Sequence, residues 1–294
     1  MKAKYLLIPA LLVLAACQSM EMEDPAASRE PLAAADSVFT LVIHATKDMD
    51  TKGLNLDGET LNTYWRSGET VSVFRGASCL GSLGVSPGAG TYPTTATLTG
   101  SINVSNLAVN DQLTLLLPRE TWDYTGQDGT LATLQDQYDY ALATVTVDQI
   151  NGSEVSASST AVFKNRQSIY RFSFTSGSAL SVKGFTLSSA NEGLVRSFAF
   201  GAGSLTPAPG SLSVTPASAT TDPLFVSICN QSTVEDTYSF IITGGDDALY
   251  MATKAIPATV LDTPGKFISA TISATQPSFA PVDNSSINTS SAVL

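Results

Sequence analysis

The chain has 294 residues, of which 43% are hydrophobic and only 14% charged, and its formal net charge is −11. This acidic balance argues against a nucleic-acid partner and against polybasic docking to anionic lipid. Low charge with abundant Gly, Ser, Thr and Pro is the composition of a β-rich extracellular protein, and the length suits two ordinary domains or one large one.

The chain opens with a positive head, Lys2 and Lys4, followed by an almost wholly apolar run from Tyr5 to Leu14. Leu14-Ala15-Ala16-Cys17 then places two small residues directly before a cysteine. A charged head, an apolar run and a small-residue cleavage site predict a secretory signal peptide over residues 1–16. The terminal Cys17 makes the segment resemble the bacterial lipobox, in which that thiol is acylated and becomes the mature N-terminus. An ordinary signal peptide that carries a cysteine is the alternative. The apolar run falls short of the ~20 residues that span a bilayer. Loss of Lys2 and Lys4 with the signal takes the formal charge from −11 to −13.

Residues 17–35 are polar and contain Pro25 and Pro31, which predicts a flexible tether. From Ser37 to His44 the sequence is rich in β-branched and aromatic residues. Phe39, Leu41 and Ile43 alternate onto one face of a predicted strand, and Val38, Thr40, Val42 and His44 onto the other. Ala45 to Gly58, with Lys47, Asp48, Asp50 and Lys52, reads as an exposed loop. Ser67-Gly68 marks a turn before alternating Val71 and Val73. Gly81 to Pro93 reads as glycine-rich loop, Gln112 to Leu117 as a buried strand stopped by Pro118, Glu120 to Gln137 as mostly loop, and Tyr140 to Val147 as a strand.

Asn151-Gly152 and the serines that follow predict a domain junction, with one β-domain over residues 36–155 and a second over 156–294. In the second, Tyr170, Phe172 and Phe174 share a face. Further strands are expected at 182–187, 195–200, 211–214, 224–228, 238–243, 248–255 and 266–274. Gly244 to Asp247 is a hairpin signal between two of them. Thr275 to Leu294 reads as a polar tail. With no convincing amphipathic helix, the expected class is all-β, as two consecutive sandwiches.

Catalytic patterns are weak. His44 is the only histidine and has no nucleophile motif beside it. One histidine and the distant Cys79 and Cys229 give no zinc spacing, and no cofactor is expected. The carboxylate pair Asp136 and Asp139, or Asp246-Asp247, is formally open to glycosidase chemistry, but aspartate in turns is expected for backbone reasons alone. Trp65, Trp122, Tyr124, Tyr138 and Tyr140 are candidates for a sugar-stacking platform, or for core packing. Cys79 and Cys229 form either one disulfide or two unpaired thiols.

Several pieces together resemble a known family. Thr51-Lys52-Gly53, then Trp65-Arg66-Ser67-Gly68-Glu69-Thr70-Val71-Ser72-Val73-Phe74, stand behind the lipobox and one isolated strand. This order is similar to the opening of Bacteroidetes fimbrillin-like proteins. Leu115-Leu116-Leu117-Pro118 resembles the family's strand before its "YP" element, with Arg119 in place of the usual aromatic context. Ala161-Val162-Phe163-Lys164-Asn165, running on to Phe174, resembles the start of the family's second domain. The resemblance implies a type V pilin or pilus accessory lipoprotein at the outer membrane, built as two transthyretin-like sandwiches. It also implies loss of the first strand, here Phe39, Leu41 and Ile43, by trypsin-like cleavage and its replacement by a strand of another pilus subunit. The family cut typically follows Arg; this chain offers Lys52, with Lys47 and Arg29 as alternatives. A host or bacterial surface ligand is a further implied partner, and no enzyme activity is implied. A surface glycan-binding lipoprotein for polysaccharide uptake is the alternative from a different class. Cys17→Ser is expected to release the protein from the membrane fraction and to abolish palmitate labelling.

Overall fold

The computed structural model describes residues 37–47, 55–58, 60–62, 64–118, 121–201, 204–262 and 264–278. The predicted signal peptide, Cys17 and the tether, Lys52 and residues 279–294 of the tail lie outside them. The described residues form an all-β structure. Its earlier elements are β1 (Ser37–Lys47), β2 (Asn55–Asp57), β3 (Thr60–Asn62), β4 (Thr70–Arg75), β5 (Ser78–Pro87), β6 (Thr95–Val104), β7 (Gln112–Leu117), β8 (Thr121–Asp123), α1 (Leu131–Gln137), β9 (Ala141–Asn151), β10 (Glu154–Ala157) and β11 (Ala161–Asn165). The later ones are β12 (Ser168–Ser176), β13 (Ser178–Ala179), β14 (Val182–Ser189), β15 (Leu194–Gly201), β16 (Ser204–Pro209), β17 (Leu212–Val214), β18 (Leu224–Asn230), β19 (Asp236–Gly244), β20 (Leu249–Ile256), α2 (Ala258–Leu261) and β21 (Phe267–Ser273).

The first large sheet closes on itself. β1 pairs with β6, and the pairing runs on through β5, β4, β7 and β9 to β10 and β11, which both pair with β1. Alternation along these strands sends Leu41, Val71, Val73, Leu98, Leu113 and Leu115 inward, where each is fully buried. β2 and β3 form a small separate hairpin.

The later strands make two facing sheets. One runs β13-β12-β18-β15-β16, with β21 paired to β12 and β8 paired to β15; the other runs β17-β14-β19-β20. Between them lies an aromatic core. Phe172 meets Phe240 edge-on at 5.2 Å, and Phe174 meets Phe185 at 5.0 Å. Such tilted and edge-on contacts match the quadrupoles of the rings. Tyr170, Phe172 and Phe174 are all buried there, on the face expected.

Several expectations are corrected. The glycine-rich stretch from Gly81 is mostly strand β5, not loop. Its glycines permit a close approach, since a Cβ on Gly81 (φ +149°) would sit 2.5 Å from the Ser101 carbonyl oxygen of β6. β6 is absent from the expected strands, although Ala96, Leu98, Ile102 and Val104 alternate along it and are all buried. Residues 120–137 hold β8 and the short helix α1, whose N-cap Thr130 accepts from the Thr133 N–H at 3.2 Å. Seven residues are too few to write an amphipathic pattern. Asn151-Gly152 makes the hairpin turn from β9 to β10, with Gly152 at φ +63°. The expected junction near 155 therefore falls inside the closed sheet, and the change of sheet comes after Asn165. Cys79 is exposed and Cys229 buried, and both are free thiols.

Gly81→Ala is expected to cost about 1–3 kcal/mol in chemical denaturation, because backbone and not a flexible side chain must yield.

Candidate functional site

β1 is held on both edges. Along one it pairs antiparallel with β6 over ten residues, from Ser37 opposite Val104 to Thr46 opposite Thr95. Along the other it runs parallel to β10 at Thr40–Val42 and to β11 at Ala45–Lys47. Two further backbone bonds, from Thr40 N–H to the Ser153 carbonyl at 2.7 Å and from Lys47 N–H to the Thr94 carbonyl at 3.0 Å, fasten it. Its inward face is graded. Phe39 is half-buried, while Leu41, Ile43 and Ala45 are 0–1% exposed. Val38, Thr40, Val42 and His44 face solvent, so the predicted alternation holds and His44 is a surface residue.

Ala45 lies between Ala96 of β6 and Ala161 of β11, so three small side chains stand side by side across the sheet. The next inward residue is Lys47. It was expected in an exposed loop, but β1 runs three residues further than expected and Lys47 is only 3% exposed. Its Nζ lies 3.4 Å from Asp139 Oδ2 and 3.5 Å from Glu69 Oε1. It also sits 4.6 Å above the ring of Trp65, a cation–π geometry. Burial of this ammonium is possible because two carboxylates and a π-face replace its water.

The Tyr64–Glu69 segment builds this socket. Trp65 packs edge-on against Phe163 at 5.2 Å. Glu69 Oε2 accepts from the Arg66 N–H at 2.9 Å, which folds the Ser67-Gly68 turn back on itself. Arg66 reaches the end of α1, donating to Asp136 Oδ1 at 2.7 Å and to the Gln135 carbonyl at 3.2 Å. Gln135 donates in turn to the Tyr64 hydroxyl at 2.8 Å. The socket thus joins β1, the turn before β4, and α1.

The other candidates lie elsewhere. Asp136 and Asp139 are engaged by different cations, Arg66 and Lys47. Asp246 accepts from the Ala248 N–H and the Tyr250 hydroxyl within its hairpin turn, and these bonds hold its carboxyl below the usual range. Trp65, Trp122, Tyr124, Tyr138 and Tyr140 are each 0–5% exposed, with Trp122 stacked on Tyr140 at 5.3 Å. They are core residues and present no platform to a sugar. Arg66 and Glu69 were not anticipated as site residues. Their spacing is visible in sequence, but nothing there ties them to Lys47.

No protein-family model and no curated protein matches the sequence. Among solved structures, the chain is similar to a candidate cell adhesion protein from Bacteroides ovatus, at 13% identity and a TM-score of 0.43, covering 82% of this chain and 97% of that one. It is also similar to a fimbrial assembly protein from Parabacteroides distasonis, at 12% identity and a TM-score of 0.42, covering 80% and 90%. A third is the tip fimbrial protein Mfa3 from Porphyromonas gingivalis with C-terminal truncation, at 10% identity and a TM-score of 0.37, covering 76% and 86%.

Leu41→Ala is expected to destabilise the protein by about 2–5 kcal/mol in urea denaturation. Val38→Ala, on the exposed face of the same strand, is expected to stay within about 0.5 kcal/mol.

Proposed function

We propose that this protein is a structural subunit or accessory protein of a cell-surface pilus, anchored in the outer membrane through lipid on Cys17 and assembled by strand exchange. The observation that carries the proposal is the double-edged seat of β1. Removing this one strand frees the backbone groups of β6 on one side and of β10 and β11 on the other. It also empties the places of Leu41 and Ile43, each worth on the order of 1.5–3 kcal/mol when buried. An open groove of that kind is filled by β-addition, which restores hydrogen bonds and burial together.

On this reading β1 is the resident occupant of the groove, and a cut within Lys47 to Gly53 releases it. Lys47 is a poor target for that cut in the folded chain, because its side chain is enclosed by Asp139, Glu69 and Trp65. Lys52 is the preferred site. The closed sheet and the aromatic sandwich would then be the two successive pilus domains, with the protein acting in adhesion and not catalysis.

Mixed with the other subunits of the pilus, the chain cut after Lys52 by limited trypsin digestion is expected to lose β1, as read by mass spectrometry, and to join a ladder of oligomers. Lys52→Gln is expected to keep residues 37–47 attached and to stay out of the ladder. Entry of the Lys52→Gln protein into the ladder with β1 still in place would overturn the mechanism and leave β1 as a permanent strand.

A further inference from the structure

We infer that the groove under β1 accepts only a strand with a cation, Lys or Arg, at the place of Lys47, and that this strand comes from a different polypeptide. The inference rests on the strand-exchange reading above and names the chemistry of the partner.

The inward side chains of β1 are not a uniform apolar row. They run large at Leu41, large at Ile43, small at Ala45 and cationic at Lys47. The small position is set by Ala96 and Ala161, which flank Ala45 on both neighbouring strands. The cationic position is set by Asp139 and Glu69, whose side chains are 5% and 11% exposed with Lys47 in place. A strand slipped by one residue turns every inward side chain outward. A strand slipped by two brings a large side chain to the alanine row and an alanine to the carboxylates. The groove therefore reads register as well as hydrophobicity.

With β1 gone, Asp139 and Glu69 lose Lys47 but gain water. A new strand that covers them with a neutral residue buries both carboxylates without Lys47's charge. Arg66 offsets Glu69 in part, since it lies 3.8 Å from Glu69 Oε1, but its shorter contact is to Asp136 at 2.7 Å. The group of Arg66, Glu69, Asp136 and Asp139 carries a formal −2, which Lys47 brings to −1. An incoming Lys or Arg restores both the ion pairs and the contact with the Trp65 face.

This chain's own C-terminal residues 267–294 contain no Lys or Arg, so they do not carry the pattern. Within residues 1–294 the pattern stands only in β1, which the proposed cut removes. The fitting partner is a different subunit whose donor strand reads large-x-large-x-small-x-cation.

The test uses the full chain with a specific protease site built into residues 48–54, cut so that β1 stays seated. Exchange is followed by fluorescence anisotropy with labelled, amidated peptides of Ser37–Lys47. The native and Lys47→Arg peptides are expected to enter, Lys47→Gln at least tenfold more weakly, and Lys47→Glu more weakly still. In an Asp139→Asn chain shown by circular dichroism to be folded, the gap between the native and Lys47→Gln peptides is expected to shrink. Glu69→Gln carries the same comparison if Asp139→Asn does not fold. A peptide of residues 279–294 is expected not to enter. Uptake of the Lys47→Gln peptide within twofold of native overturns the cation rule and leaves strand exchange standing. Entry of the 279–294 peptide as tightly as native overturns the heterologous partner. Failure of every peptide to enter overturns strand exchange, and this inference with it.

Discussion

The pairing of β1 along both of its edges is what makes the first sheet a ring. β1 arrives from the far N-terminal end of the described chain and slots between β6 on one side and β10 and β11 on the other. Its contacts are antiparallel on one side and parallel on the other, so its direction is specified twice over. A closed sheet has no edge to offer a neighbouring protein. The whole first core, from Leu41 to Phe163, is sealed by one strand.

The second core depends on the first in a less obvious way. Phe74 of β4 and Leu116 of β7 point out of the ring and into the aromatic cluster of the later sheets, where Phe74 meets Phe200 at 4.4 Å. The chain between β7 and β9 leaves the ring altogether. Its β8 adds to β15, and Trp122 and Tyr124 are buried among the later strands before Tyr140 leads back into β9. Gln127 fixes this excursion, donating to the Ser227 carbonyl at 2.9 Å and accepting from the Ser227 N–H at 2.7 Å. α1, at the end of the excursion, is also where Arg66 and Gln135 meet. The Lys47 socket thus sits where the ring meets the loop that reaches the other core.

Much of this was legible in the chain because alternation is local. Phe39, Leu41 and Ile43 on one face of β1, the aromatic stripe of β12, and the Gly244–Asp247 hairpin follow from period-two patterning and turn chemistry alone. What was not legible depends on partners distant in sequence. Gly81 reads as loop because its reason for being there is the backbone of β6, close in space and invisible in a window. Asn151-Gly152 read as a boundary because a tight turn inside a sheet and a turn between domains use the same residues. Lys47 read as exposed because a charged residue ordinarily is; its burial needs Asp139, 92 positions away. The sequence motif around Trp65 was visible, but its role as the wall of a cation socket was not.

The order in which these contacts can form follows from the position of β1 in the chain. Leu41 lies opposite Gly100 on one side and opposite Val155 on the other, so its neighbours emerge 59 and 114 residues later. Local hairpins such as β4–β5 and β9–β10 close quickly, whereas loops of that length are slow to close and favour late docking. A chain that emerges N-terminus first therefore presents β1 long before its seat exists. Until the later strands have paired, the ring is open, and the strand that will seal it is still in solvent. A folded chain from which β1 is withdrawn returns, in kinetic terms, to a state it has already passed through while folding.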